Sequence, residues 1–412
     1  MIPLEYRWLE RQSLINHIRD VIVAVDFDTI IDRSETSSLK WERYEKDVIP
    51  LWVADMDFRA APEIVETLRQ RIDHGIFGYT VPDTELEQLV VERCRNLYDW
   101  DIEPEWLVWL PGLVTALNIS VRTYADHGET VISPSPVYYP FLMAPKLGGR
   151  QLMNLEWIKK NDEWALDLED LEQKITPDTR LLLLCNPQNP NGRVLTRTEL
   201  KTIEQFCYKH NLIVCSDEVH CDLLLDRDCE HIPYASISEF SRNHSVTLMS
   251  PSKTFNLAGF GCAFAIIPDG ELRHKFNRTR KGIVPDPDNM LIGFTATKAA
   301  YRYGEPWQQT MLDYLRGNHD YLVAAVNQIP GLSMKPMQAT YLAWIDVSEL
   351  ELDDPHGFFV EAGVGLSPGK QFGDANYLRL NFGCSRLLLE EAVSRMARSL
   401  TENRSTLLQS KL

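Results

Sequence analysis

Ser250-Pro251-Ser252-Lys253-Thr254-Phe255-Asn256-Leu257-Ala258-Gly259-Phe260-Gly261 follows directly on the apolar run Val246-Thr247-Leu248-Met249 and sets one lysine between two serines, ahead of a glycine-rich stretch. The apolar run has the length and composition of a buried strand. Lys253 then sits in the loop at a strand end, where α/β proteins keep their ligands. Partial desolvation there disfavours the ammonium and lowers its pKa, as a lysine needs in order to hold an aldehyde covalently. Read alone, the residue competes with an ordinary solvated surface lysine, so the neighbouring stretches decide.

Upstream, the apolar runs Thr130-Val131-Ile132-Ser133, Leu181-Leu182-Leu183-Leu184-Cys185 and Leu212-Ile213-Val214-Cys215 alternate with helical stretches at 168–175 and 199–209. Runs of this kind suit a parallel sheet covered on both faces and predict an α/β fold. One ends in Asn186-Pro187-Gln188-Asn189-Pro190-Asn191-Gly192-Arg193, a turn dense in Pro, Asn and Gly. Another ends in Ser216-Asp217-Glu218-Val219-His220. A carboxylate at the end of a buried strand needs a cation, supplied by the protein or by a cofactor. Before them, the strand-like Trp106-Leu107-Val108-Trp109-Leu110 closes on Pro111-Gly112, after which Leu113, Leu117, Ser120, Val121 and Tyr124 share one helical face. The free N–H groups of Val114 and Thr115 and the Thr115 hydroxyl converge at that helix start, a ready anion site. An ordinary strand-to-helix connection is the alternative.

The flanks are less regular. Residues 1–24 read as an amphipathic helical arm, and 48–53 as a short strand running into Ala54-Asp55-Met56-Asp57-Phe58. Gly75-Ile76-Phe77-Gly78-Tyr79 is a loop whose tyrosine is available to a site, a neighbouring subunit's included. One continuous or kinked helix is expected from Met290 through Tyr303 and Trp307 toward Tyr321. The part from 332 to about 400 reads as α+β, with strands at 341–345 and 377–382. Arg379, among alternating apolar residues, needs an anion from a protein or a substrate carboxylate.

At 412 residues the chain is longer than one ordinary core. The expected division is an arm (1–24), a small domain built from 25–75 and 301–412, and a large domain (76–300). With 42 basic against 59 acidic residues, the net charge of −17 repels phosphate backbones and anionic membranes, arguing against nucleic-acid and membrane partners. No apolar run approaches the ~20 residues needed to span a bilayer, and Glu5, Glu10 and Asp20 stand where a signal peptide has its basic flank and apolar centre. A cytoplasmic protein is expected. Cys215, His220, Cys221, Cys229 and His231 cluster but match no zinc spacing, so no metal is expected.

Several ordered motifs carry a resemblance: Asp32-Arg33 with Lys40-Trp41, Trp52 through Phe58, Ile76-Phe77-Gly78-Tyr79, Asn186 through Pro190, Ser216 through His220, Ser250 through Gly259, and Arg379-Leu380-Asn381 with Cys384 and Arg386. Together they resemble fold-type I pyridoxal-phosphate enzymes of the class I and II aminotransferase superfamily, and more narrowly the MalY/PatB group of cystathionine β-lyases, or C–S lyases. The resemblance implies the aspartate aminotransferase fold, a large α/β domain with a mostly parallel seven-stranded sheet flanked by helices, plus a smaller α+β domain. It implies that Lys253 holds pyridoxal 5'-phosphate and moves the substrate Cα proton, that Asp217 pairs with the ring nitrogen, and that Tyr138 stacks on the ring. Asn189 and His220 complete the ring's surroundings. Val114, Thr115, Ser250 and Ser252 are implied to hold the phosphate, with Tyr79 reaching it from the second subunit of a homodimer. Arg379, Asp55 and Asn189 are implied to bind the substrate, a cysteine thioether. The family usually has Thr where Asn191 stands, and residues 1–24 precede its usual start. An aminotransferase and a catalytically silent regulatory relative are the alternatives.

Overall fold

The computed structural model describes residues 25–160, 163–284 and 289–409, so the arm expected at 1–24 lies outside the described residues. The strands in chain order are β1 Ile49–Pro50, β2 Leu107–Leu110, β3 Thr130–Ser135, β4 Gln151–Lys160, β5 Glu163–Leu166, β6 Thr179–Cys185, β7 Ile213–Asp217, β8 Ser245–Met249, β9 Ala263–Ile266, β10 Leu342–Asp346, β11 Val364–Gly365, β12 Ser367–Pro368 and β13 Tyr377–Asn381.

Seven of them form one sheet in the order β2-β9-β8-β7-β6-β3-β4, with β5 added as an eighth at the edge by folding back on β4. The pairings β8–β7, β7–β6, β6–β3 and β3–β4 are parallel. Leu181 to Leu184 of β6 are wholly buried, as expected of a central strand covered by helices on both faces. Separate apolar clusters lie on the two sides. Leu181 and Leu183 pack with the helix Leu113–Tyr124, while Leu182 and Leu184 pack with Leu200, Ile203 and Phe206 of the helix Arg197–His210. Alternate side chains of one strand thus serve both layers. From β3 the chain moves outward to β4, and from β6 it moves the other way to β7 and β8. A crevice forms where that order reverses.

A second core joins the beginning of the described chain to its end. Phe27, Leu51, Met56, Phe58 and Ile64 pack with Leu322, Phe359, Leu380, Phe382 and Met396. β1 pairs in parallel with β11, and β10, β13 and β12 form a three-stranded antiparallel sheet. The strand expected over 48–53 is only two residues long, because Leu51 onward turns to hydrogen-bond Gly365 and Asn381 rather than continuing a ladder. The helix expected to run from Met290 toward Tyr321 is two helices, Leu291–Tyr303 and Glu305–Val326, separated at Gly304. A Cβ there would come within 2.6 Å of the Phe255 ring and of the Ala300 carbonyl oxygen, so the junction admits only glycine.

One polar cluster braces the segment between the two cores. Lys40 is wholly buried, with Nζ 2.7 Å from Asp57 Oδ2 and donating to the Asp55 carbonyl at 3.1 Å. Asp57 also accepts from Arg33 at 2.7 Å and from the Trp41 indole at 2.9 Å, and the Lys40 charge together with these donors holds its carboxyl below the usual range against the opposing effect of burial. Removing one partner of such a pair leaves the other charge buried and uncompensated. Lys40→Met is expected to lower the unfolding free energy by about 3 kcal/mol in urea titrations. The double variant with Asp57→Asn should recover much of the loss, and an unchanged midpoint in the single variant would remove the brace from this account.

Candidate active site

The carboxyl ends of β6, β7 and β8 open onto a cavity of about 530 Å³. Lys253 follows β8 in a tight turn in which the Phe255 N–H donates to the Pro251 carbonyl and the Leu257 N–H to that of Ser252. Its Nζ donates to the Ala54 carbonyl at 2.7 Å. Burial lowers its pKa to about 8, with the nearby Asp55 and Asp217 pulling upward and Arg379 downward.

Asp217 is the last residue of β7. Its carboxylate accepts from the Val219 N–H at 3.1 Å, yet burial raises its pKa to about 6 in spite of that bond and of the Lys253 charge. Among the described residues no cation comes within ion-pair distance of it. His220 is neutral, its pKa held near 3 by burial and by the positive Lys253 and Arg379, and its Nδ1 is buried without a partner.

Arg379 projects from β13, and burial lowers its pKa to about 10. It donates to Asn189 Oδ1 and to the Trp52 carbonyl, each at 2.9 Å, while its Nε has no partner. No carboxylate pairs with it among the described residues. The Phe372 ring centroid lies 4.5 Å from the guanidinium carbon. Tyr138 is tied to the turn after β6 through its N–H, which donates to the Asn189 carbonyl at 3.0 Å, and burial raises its phenol to about 12.

The helix Leu113–Tyr124 starts at the cavity with no side chain capping it, since its cap position is Gly112. The first N–H groups are therefore free toward the cavity, which Val114 and Thr115 line. Gly261, in the left-handed region at φ 57°, passes so near this terminus that a Cβ would lie 2.9 Å from the Pro111 carbonyl oxygen. Ser250 and Ser252 line the same wall, but the Ser250 hydroxyl already donates to the Cys262 carbonyl at 2.7 Å.

Of the residues singled out from the sequence, Lys253, Asp217, Tyr138, Val114, Thr115, Asn189, His220, Ser250, Ser252 and Arg379 surround this cavity. Two do not. Tyr79 is 89% exposed and lies in an outer groove with Pro111, Phe260 and Gly261. Asp55 is outside the cavity lining and pairs with Arg33 at 2.9 Å, though its charge still reaches Lys253. Asn191 also lies off the cavity, its Oδ1 accepting from the Arg193 N–H within the turn, so the exchange for threonine alters that turn rather than the cavity wall. Sequence reasoning missed the Ala54 carbonyl, which also accepts from the Tyr341 hydroxyl at 3.0 Å, and the Trp52 carbonyl, which also accepts from the Ser367 hydroxyl at 2.7 Å. The clustered Cys and His residues have separate fates. Cys215 is buried in β7, His231 pairs with Glu218 at 2.8 Å, and the Tyr98 hydroxyl donates to the Cys221 sulfur.

The sequence pattern described as "Aminotransferase class I and II" matches residues 46–396. The chain belongs to this family. Within it, the chain is 37% identical to cystathionine beta-lyase PatB of Bacillus subtilis over 92% of this chain and all of that one. The crystal structure of OvoB superposes with a TM-score of 0.88 at 48% identity, covering 91% of this chain and 99% of that one. Cystalysin from Treponema denticola, whose crystal structure contains pyridoxal 5'-phosphate, superposes with a TM-score of 0.88 at 31% identity over 92% of this chain and 99% of that one. The sheet order and the cavity at its crevice are those of the fold expected for this family.

The raised pKa of Asp217 gives a pH signature in protein freed of any cofactor. A carboxyl whose pKa is about 6 folded and about 4 unfolded favours the folded state fully below pH 4 and loses that contribution as pH rises toward 6. Relative to Asp217→Asn, which lacks this contribution, the unfolding free energy of the wild type is expected to fall by up to about 3 kcal/mol across that window. Parallel pH dependences in the two proteins would refute the assignment.

Proposed function

We propose that the protein is a pyridoxal-phosphate-dependent carbon–sulfur β-lyase that cleaves cystathionine or another cysteine S-conjugate to thiol, pyruvate and ammonia. The observation that carries the reading is a buried carboxylate, Asp217, that no cation pairs with among the described residues, facing the same cavity as a desolvated amine, Lys253. Neither is at ease alone. A cofactor offering a protonated ring nitrogen to one and an aldehyde to the other relieves both. The uncapped helix start at Val114 and Thr115, with Ser252, suits its phosphate, while Tyr138 and His220 suit its ring. When bound, the cofactor supplies a sink for the electron pair left at the substrate Cα.

The chain's own groups do the rest. Arg379, a buried guanidinium with no carboxylate partner among the described residues, takes the substrate α-carboxylate, with Asn189 steadying the fork. Lys253, with a pKa near 8, has a substantial neutral fraction at physiological pH and receives the Cα proton at Nζ. As the Cβ–S bond breaks, the thiolate leaves with the bonding pair and takes up a proton. The released enamine adds water to give pyruvate and ammonia. The Ala54 carbonyl gives the ammonium form of Lys253 a place to donate, 2.7 Å away in the present arrangement.

Tyr79, exposed together with Ile76, Phe77 and Val81 on a loop beside the helix start, suits burial against a second copy whose phosphate it would reach, so the working form is a homodimer. No helix among the described residues is long and apolar enough to cross a membrane, and we place the enzyme in the cytoplasm. The division into a large domain (76–300) and a small one (25–75 with 301–412) is part of the same reading, with Leu223, Phe255, Leu257, Ala296 and Ala300 of the larger segment packing into the cluster built mainly from the smaller one.

Purified enzyme mixed with cystathionine is expected to release pyruvate and free thiol together. Lys253→Ala should lose at least a thousandfold in rate, and borohydride should fix the vitamin at position 253 in the wild type. Arg379→Lys should raise KM by tenfold or more through loss of the bidentate fork. Amino transfer that depends on an added keto acid, without pyruvate release, would reject the lyase in favour of an aminotransferase.

A further inference from the structure

The cavity wall carries three cations, Lys253, Arg379 and Arg43, against the single carboxylate Asp217. The proposed lyase chemistry occupies the first two and leaves Arg43 without a task. Arg43 is exposed at the rim, its guanidinium carbon 4.3 Å from the Trp52 ring centroid and 5.6 Å from that of Tyr44. Among the described residues no carboxylate lies within ion-pair distance of it. The titratable groups around it are Tyr44 and His356.

Trp52 connects this arginine to the substrate clamp. Its indole nitrogen donates to the Lys40 carbonyl at 3.1 Å, and its own carbonyl accepts from Arg379 and Ser367. Held at both ends, Trp52 carries one guanidinium on its ring and another at its carbonyl. In the proposed reaction a substrate whose α-carboxylate sits on Arg379 would present its Cβ–S bond to Lys253. With Asp217 and the helix start given to the cofactor, the sulfur substituent would meet the remaining lining, which includes Leu39, Arg43 and Gln371. Leu39 is apolar, Gln371 a neutral amide, and Arg43 the cation of that group.

We propose that Arg43, mounted on Trp52, selects cysteine S-conjugates whose sulfur substituent ends in a carboxylate. The proposal rests on the β-lyase reading for its orientation of substrate. On the Trp52 ring and with Tyr44 touching one of its nitrogens, the Arg43 guanidinium still has N–H groups to offer a carboxylate, which a carboxamide of the same shape satisfies only in part.

The test pairs S-carboxyethyl-L-cysteine with its terminal carboxamide, using holoenzyme and two readouts: pyruvate release, and the dissociation constant from the change in cofactor absorbance on rapid mixing. Wild type is expected to favour the carboxylate by about fivefold to tenfold in kcat/KM and in affinity, as a charge-assisted contact at a partly open rim allows. The preference should shrink as salt is raised. In Arg43→Gln the ratio should fall to about one through KM of the anionic conjugate, with Arg43→Lys intermediate. Equal handling of the two conjugates by wild type, or an equal loss on both in Arg43→Gln, overturns the proposal. If neither conjugate yields pyruvate, the lyase reading fails on its own, and the ratio of dissociation constants still decides the role of Arg43.

Discussion

An amine and a carboxylate share one enclosed space without forming a pair, and the architecture around them is what keeps both there. Lys253 and Asp217 stand at the ends of neighbouring strands, β8 and β7, in the middle of a sheet whose faces are covered. Water would solvate both groups and return them to ordinary pKa values. Burial instead brings the amine down to about 8 and the acid up to about 6, so the two lie only about two units apart. Such poise is costly to the empty fold and useful to a ligand that meets both groups at once.

The enclosure depends on residues far away in the chain. The segment from Trp52 to Phe58, whose first three residues line the cavity, has almost no regular structure, so its position comes from hydrogen bonds rather than a ladder. Asn381 of β13 donates to the carbonyls of Val53 and Asp55, and Asn256 clasps Met56 and Phe58. Lys40, Asp57, Arg33 and Trp41 anchor the same segment from behind. A carbonyl aimed into a catalytic space must be held by something, and here a buried charge cluster does it.

This division explains what sequence reasoning could reach. Strands β6, β7 and β8 announce themselves as unbroken apolar runs, and the residues that end them, Asn189, Asp217 and Lys253, are adjacent in sequence to the signal that locates them. Their burial and convergence follow from strand order alone. The β4–β5 hairpin has no such signal, because β4, next to the sheet edge with half its residues exposed, reads as neither buried nor cleanly alternating. The contacts of Ala54 with Lys253 and Tyr341 span 199 and 287 positions, and both use a main-chain oxygen that every residue possesses. No residue type could have disclosed them. The pairing of Asp55 with Arg33 joins residues 22 positions apart, and neither motif signals it.

The oxygen of Ala54 receives two donors, the ammonium of Lys253 and the phenol of Tyr341, whose ionisation burial strongly opposes. If the lysine bonds elsewhere, as the proposed function requires, the phenol alone still satisfies the Ala54 oxygen, so the peptide is not left bare in a dry pocket. A double mooring of this kind lets one line be cast off while the berth keeps its shape for the lysine's return.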